Sequence, residues 1–165
     1  PALRDLLLAA GAPVQVGFGG LWLKLNPQLL AAWPEQHFVM APPADSRERE
    51  ALRALPNLTL LPDGVRPLDV FPFCRRHLGK PGFSTFCEAL SFSVGLHVVE
   101  RRDFAEAKAL MRGLARHGSS RLLSRDQLLT GDWQLDQPLV PPTQAAAAAH
   151  GAEQAARALI AYADP

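Results

Sequence analysis

The feature that most constrains the fold of this chain is the alternation of short apolar runs with longer segments of helical periodicity. Such alternation is typical of βαβ units, in which parallel strands are joined by helices. The predicted strands are 14–18, 37–40, 58–61, 77–79, 96–99 and 120–123. We therefore expect an α/β protein with a Rossmann-like, doubly wound parallel sheet of about six strands.

The segments between these runs predict helices. They cover 29–33, 46–55, 68–74, 84–93, 104–117 and 152–162, and a short amphipathic helix is expected near residues 6–10. Pro67 suits the first turn of its helix, Gly118 stands where a C-cap is expected, and Ser124 or Arg125 opens a further short helix. The strongest pattern is 104–117, where apolar residues recur close to every 3.6 positions.

Composition limits the classes of function. The 165 residues, of which 48% are hydrophobic and 20% charged, suit one globular domain over 1–165. A net charge of +1 gives no strong field for nucleic acid or anionic membrane, and no apolar run reaches the ~18 residues of a membrane span. We expect a cytoplasmic protein. Because the chain begins at Pro1 and not at Met, we also expect it to be one piece of a longer polypeptide.

The turn after the fourth predicted strand carries the residues best suited to hold a phosphate. Gly82 frees the backbone, and Ser84 or Thr85 can cap the following helix, whose N-terminus presents unpaired N–H groups and a partial positive charge. Lys80 can add a charge-assisted hydrogen bond. Glu88, one turn along, can accept hydrogen bonds from a ribose diol. The alternative is a plain Ser/Thr-capped helix with Glu88 in a capping box.

Two other turns also follow predicted strands. The first, Gly17-Phe18-Gly19-Gly20, matches only part of G-x-G-x-x-G, so it indicates either close approach of a ligand or a tight strand-to-helix turn. The other, 100–106, holds two arginines among acidic residues. Either these form a solvated ion-pair cluster, or one arginine and Glu106 face the ligand cleft.

No catalytic residue can be assigned from the sequence. The five histidines lack ligand-like spacing and are better explained as packed or surface residues, and the two cysteines lack the spacing of a zinc site. There is also no nucleophile elbow and no paired Asp/His arrangement. We therefore expect a domain that binds and orients a substrate while any catalytic base comes from elsewhere.

The motifs together resemble the C-terminal, donor-binding half of GT-B glycosyltransferases. The broad relatives are the peptidoglycan N-acetylglucosaminyltransferases, and the chain more closely resembles the glycosyltransferase-like N-terminal region of L-arabinokinases and related bacterial proteins. The stretches that carry the resemblance are Gly79-Lys80-Pro81-Gly82-Phe83-Ser84-Thr85 with Glu88-Ala89-Leu90, Phe18-Gly19-Gly20, Trp22-Leu23-Lys24-Leu25, Pro56-Asn57, Arg101-Arg102-Asp103, Phe104 with Glu106, Arg125-Asp126, Leu128-Leu129-Thr130-Gly131 with Trp133, and Gly151-Ala152-Glu153 with Ala155-Ala156-Arg157. They occur in order over nearly the whole chain.

The resemblance implies a domain that binds a nucleoside diphosphate sugar of the UDP-sugar type, with glycosyl transfer in the intact protein. It implies diphosphate contacts from Gly19, Gly20, Lys80, Gly82, Ser84 and Thr85, a ribose contact from Glu88, and a sugar side formed by Arg102, Phe104 and Glu106. It implies no metal and no cofactor, because helix dipoles and backbone donors stabilise the departing diphosphate. It also implies a partner N-terminal domain, which has no counterpart in this chain.

Two other functions fit the same fold. One is a non-catalytic module that binds a sugar nucleotide or packs on a partner domain. The other is a nucleotide-sugar epimerase, which requires acid/base carboxylates between two domains. The sequence specifies neither the nucleotide base, the sugar, the acceptor nor the stereochemical outcome.

Overall fold

A computed structural model describes residues 2–18, 25–145 and 150–163 of the chain. Its sheet has six strands, all parallel, in the order β3-β2-β1-β4-β5-β6. The strands are β1 Val14–Gly17, β2 Phe38–Met40, β3 Leu58–Leu60, β4 Arg76–Gly79, β5 Gly95–Val99 and β6 Ser120–Leu123. The Rossmann-like, doubly wound sheet predicted from the sequence is thus confirmed, with strand ends shifted by no more than a residue or so.

The helices flank the sheet. They are α1 Leu3–Ala9, α2 Pro27–Ala31, α3 Ser46–Arg53, α4 Pro67–Val70, α5 Phe83–Ser91, α6 Ala107–His117, α7 Arg125–Thr130 and α8 Gly151–Ala163. Two predictions needed correction. The helix expected over 68–74 is split into α4 and a 3₁₀ turn over Phe71–Phe73, which holds Pro72, and α6 begins three residues after Phe104.

The helix ends follow the expected rules in part. Ser124 caps α7 in a capping box with Gln127, as a helix opening at Ser124 or Arg125 predicts. Gly118 does occupy the C-cap of α6, but in an extended conformation and not a left-handed one. It is glycine for a packing reason, because an added Cβ would overlap the side chains of Leu90 and Leu114.

Each face of the sheet has its own apolar layer. Side chains from α2, α3 and α7 pack with Val14, Val16 and Leu78 on one face. On the other face, α5 and α6 pack on Leu96 and Val98, while α1 and α4 pack on Val39. Consecutive strand residues point to opposite faces, so this division follows from the alternation along each strand.

The order in which successive strands are added to the sheet reverses between β1 and β4, because β2 and β3 lie to one side of β1 and β4, β5 and β6 to the other. In an open parallel sheet, ligands bind beyond the carboxyl ends of the strands at such a switch point. Here the neighbouring strand ends are Gly17 and Gly79, which are paired in register. Beneath them, Gln15 and His77 are both buried and hydrogen-bonded to each other across the two strands.

The last helix, α8, differs from the others because every one of its residues is exposed. Its large apolar side chains Leu159, Ile160 and Tyr162 are all more than half exposed. Among the described residues, no helix combines the length and apolar character needed to cross a membrane.

Candidate functional site

The candidate site is the edge of the sheet where β1, β4, β5 and β6 end. A cavity of about 600 Å³ opens there. Its lining residues are Phe18, Lys80, Val99, Glu100, Arg101, Arg102, Asp103, Ser124, Arg125, Asp126 and Leu128. All four strand ends contribute to the cavity, so no single turn of the sequence contains it.

The N-terminus of α5 borders this edge. Gly82 is its N-cap and Phe83 its first residue, and no side chain caps the helix. The expectation that Ser84 or Thr85 caps α5, with or without a capping box, was wrong because both residues lie inside its first turn. Within the described residues, the backbone N–H groups of Phe83, Ser84 and Thr85 have no hydrogen-bond acceptor. They form the unpaired donor set that binds anions at helix N-termini.

The glycine at position 82 is not there for backbone freedom. Its φ of −159° is extended backbone that any residue adopts, and an added Cβ would meet only the Thr85 hydroxyl, at 3.8 Å. What glycine provides is open space directly in front of the N–H groups. The expected role of Gly82 in a close approach therefore rests on space and not on φ.

Glu88 lies one turn into α5, on its side towards α4. The pKa of Arg66, at the N-cap of α4, is raised by its hydrogen bond and charge interaction with Asp69, and the charge of Glu88 contributes to the same shift. Glu88 makes no hydrogen bond within the described residues and is only half-buried. Unlike Lys80, Glu88 does not line the cavity.

The loop after β5 holds the arginine pair. Arg102 is highly exposed and makes two contacts with Glu100, at 3.2 and 3.4 Å. Arg101 is only 23% exposed; its Nε donates to Asp103 at 3.2 Å and its guanidinium lies 4.6 Å from the centre of the Phe104 ring. Both arginines line the cavity.

Phe104 and Glu106 lie apart from that cavity. Phe104 instead lines a neighbouring one of about 490 Å³, between the 100–105 loop and α6. Glu106 is exposed at the N-cap of α6 and lines neither cavity. Of these expected site residues, Lys80 and Arg102 line the cavity, Phe104 lines the neighbouring one, and Glu106 lines neither.

Sequence reasoning missed part of the cavity wall. Arg101, Ser124, Arg125 and Asp126 line it although none was among the expected site residues. The signal for the last three was present, because the carboxyl end of the sixth strand joins the same edge as the others. Gly19 and Gly20, expected at the diphosphate, lie outside the described residues.

The buried histidines are structural. His77 and His97 are packed inside the sheet, and burial is the main cause that lowers both of their pKa values to about 4. Arg76 Nη1 lies 2.7 Å from His97 Nε2, so His97 accepts this hydrogen bond as a neutral imidazole. The described residues hold no group of three or more His, Cys, Asp or Glu side chains that could bind a metal ion.

Comparison with known proteins identifies the fold. No family model and no curated protein matches the chain. A Listeria monocytogenes protein assigned as a UDP-N-acetylglucosamine 2-epimerase superposes with a TM-score of 0.65 at 11% identity, covering 98% of this chain and 48% of its own. The Neisseria meningitidis UDP-GlcNAc 2-epimerase, solved bound to UDP-GlcNAc, gives 0.53 at 16%, covering 81% and 40%.

The third neighbour is a glycosyltransferase. SnogD from Streptomyces nogalater superposes with a TM-score of 0.55 at 21% identity, covering 97% of this chain and 46% of its own. The chain thus spans less than half the length of each of these proteins. At such low sequence identities the likeness shows the fold alone, which is a GT-B-like, Rossmann-type α/β layer.

Proposed function

We propose that this chain is the nucleotide-sugar-binding domain of a glycosyltransferase-like protein and takes a donor of the UDP-sugar type. The observation that carries the proposal is the uncapped N-terminus of α5 at the switch point, beside a cavity lined by Lys80 and with Glu88 about one turn along the helix. That arrangement matches the three parts of such a donor: diphosphate, sugar and ribose. We also propose that residues 1–165 act as one domain in the cytoplasm.

The diphosphate would lie at the start of α5. Three unpaired N–H groups and the helix dipole favour negative charge there, and the Lys80 ammonium adds an ionic hydrogen bond. Ser84 and Thr85 hold hydroxyls in the same first turn. Gly82, with no side chain, leaves the backbone donors accessible to the phosphate oxygens.

The ribose and the sugar of the donor would bind at two different places around the start of α5. Glu88 faces the α4 side of α5, where its carboxylate can accept two hydrogen bonds from vicinal ribose hydroxyls. The sugar would enter the cavity beyond β5 and β6. Its volume of about 600 Å³ falls within the range of small-molecule sites.

Transfer itself would need a second domain. Of the three carboxylates lining the cavity, Glu100 and Asp103 are paired with Arg102 and Arg101, so they are poorly placed to accept a proton from an acceptor hydroxyl. Asp126, in the first turn of α7, is the one without an ion pair in the described residues. We propose that an N-terminal GT-B domain supplies the catalytic base and the acceptor site. The finer relationship, to L-arabinokinases or to peptidoglycan N-acetylglucosaminyltransferases, rests on the motifs alone.

A nucleotide-sugar epimerase is the second candidate, because two of the structural neighbours described above are named UDP-N-acetylglucosamine 2-epimerases. It shares the donor-binding arrangement but requires acid/base carboxylates facing the sugar. Incubating the intact parent protein with UDP-N-acetylglucosamine and following the products by NMR separates the candidates. An epimerised sugar nucleotide favours the epimerase, and free UDP with a new glycoside favours transfer.

Calorimetric titration tests the binding proposal. We expect the chain to bind both UDP and pyrophosphate, and Glu88→Gln to weaken UDP about tenfold or more, since a hydrogen bond to a charged group contributes about 1.5–3 kcal/mol. Pyrophosphate, which has no ribose, should bind the variant unchanged.

Glu50→Gln, at an exposed position on α3, is the matched control and should leave both affinities unchanged. Failure of the folded chain to bind UDP would contradict the proposal. An equal loss of UDP and pyrophosphate affinity in Glu88→Gln would remove the ribose assignment.

A further inference from the structure

Of the two adjacent arginines in the cavity wall, Arg101 is the less exposed and makes two side-chain contacts of different kinds. Its side chain is 23% exposed, against 86% for Arg102, and its guanidinium is held between the Phe104 ring at 4.6 Å and Asp103. A cation–π contact of this kind fixes the plane of the guanidinium and reduces the entropy lost when it binds a ligand.

This arrangement leaves the binding end of Arg101 free. Asp103 accepts only from Nε, and the two terminal nitrogens have no hydrogen-bond acceptor among the described residues. By contrast, Arg102 uses both Nε and Nη2 on Glu100. Arg101, which lines both cavities, therefore keeps a planar pair of N–H donors without an acceptor in the described residues, and such a pair can bind a carboxylate or phosphate with two hydrogen bonds.

The charges of the side chains that line the cavity also favour an anionic ligand. Two of its four cations, Arg101 and Arg102, are paired with Asp103 and Glu100, while Lys80 and Arg125 are in no ion pair within the described residues. Asp126 is the one acidic side chain on the wall without an ion pair in the same part of the chain. The cavity thus carries a net positive charge and can accommodate an anion.

We infer that Arg101 recognises an acidic group on the donor sugar, so that the donor is the UDP derivative of a uronic acid rather than of a neutral hexose. This inference rests on the proposed function. The diphosphate already has the α5 N-terminus and Lys80, one strand away from the loop that holds Arg101. Arg101, in the loop after β5, is therefore available to bind the sugar, the part of the donor next to the diphosphate.

The test is a titration of the 165-residue chain with UDP, UDP-glucose and UDP-glucuronate, followed by NMR. We expect wild-type protein to bind UDP-glucuronate about tenfold more tightly than UDP-glucose, in line with one charge-assisted bidentate contact. Arg101→Gln should reduce that preference to about twofold or less and leave UDP affinity unchanged. Arg101→Lys keeps the charge but removes the planar donor pair, so an intermediate preference is expected.

Arg112→Gln, on the exposed side of α6, is the matched control and should keep the full preference. Equal binding of the two UDP-sugars by wild type would overturn the inference while leaving the proposed function intact. A loss of UDP affinity in Arg101→Gln would also overturn the inference, because Arg101 would then contact the diphosphate. A loss of the preference in Arg102→Gln but not in Arg101→Gln would overturn it as well. Absence of UDP binding would instead overturn the proposed function, and this inference with it.

Discussion

Gly79, the last residue of β4, has no room for a side chain. An added Cβ would overlap both His77 Nε2 and the carbonyl oxygen of Gly17 on the neighbouring strand. The His77 ring cannot move aside easily, because its Nδ1 is bonded to Gln15 and its face packs against Phe71. We expect Gly79→Ala to reduce the free energy of unfolding by about 2–3 kcal/mol, the cost of overpacking a core.

Urea denaturation measures this effect, and Gly82→Ala is its control in the same turn. Position 82 has extended backbone and open space, so alanine there should cost only about 1 kcal/mol or less, the amount by which glycine is the better N-cap residue. Equal destabilisation by the two substitutions would contradict this close packing at the β1–β4 switch point.

The arginine pair shows what a sequence cannot resolve at this scale. Arg101 and Arg102 are adjacent and both flanked by acids, so the pattern predicts an arginine in the cleft without saying which. The distinction arises from three-dimensional contacts: Phe104 holds one guanidinium, and Glu100 neutralises the other in solvent. The expected residue, Arg102, lines the cavity, but Arg101 lines it too and is the less exposed of the two.

At the scale of elements, the central strands carry two buried histidines on opposite faces of the sheet. His77 on β4 packs against Phe71, which belongs to one apolar layer. His97 on β5 is in register with Leu78, which belongs to the layer on the opposite face. Burial, together with His97 for the first and Arg76 for the second, lowers both pKa values from 6.5 to about 4. Both rings therefore stay neutral in the folded protein at pH values where the unfolded chain binds protons.

These shifts set the pH dependence of stability. A lowered folded-state pKa contributes stability that is complete above pH 6.5 and is lost as pH falls towards 4. Between about pH 7.5 and about pH 5 we expect the free energy of unfolding to fall by roughly 2 kcal/mol for each histidine. Urea titrations at the two pH values measure it. His97→Gln should show about half the dependence, and a free energy that is equal at both pH values would contradict the prediction.

Elements were predictable where local patterns decide them. The six apolar runs became the six strands, and the periodic segments became helices. Helix starts were harder to predict. Thr85 has the side chain of a capping residue, yet α5 starts at Phe83. Phe104 fits the helical spacing, yet it lies before α6 and contacts Arg101. Spacing along the chain indicates neither helix start.

Asn57 shows a motif residue with a structural role. It belongs to a stretch that carries the family resemblance, and the structure places its buried amide on three backbone carbonyls, those of Leu30, Trp33 and Gln36. These lie at and beyond the C-terminal end of α2. The carbonyls of Leu30 and Trp33 also accept backbone N–H groups, so Asn57 adds side-chain hydrogen bonds that join the turn after α2 to the start of β3.

At the scale of the whole molecule, the site exists only because of strand order. The pairing of β1 with β4 brings Phe18 near Lys80, and β5 and β6 add the arginines and the start of α7. Periodicity predicts strands but not which strands are neighbours, so the residues of the sixth strand end were missed. The exposed helix α8 takes no part in this arrangement, since none of its residues is buried.

The most direct measurement of the central claim is the map of amide chemical-shift changes in the isotope-labelled chain on addition of UDP. We predict the largest changes at residues 80–88, around the α5 N-terminus, and smaller ones at the β5 end near Arg101 and Arg102. Amides of α3 and α8, whose residues line neither cavity, should not move. Shifts centred on the opposite edge of the sheet or on α8, or no shifts at millimolar UDP, would contradict a nucleotide-sugar site at the switch point.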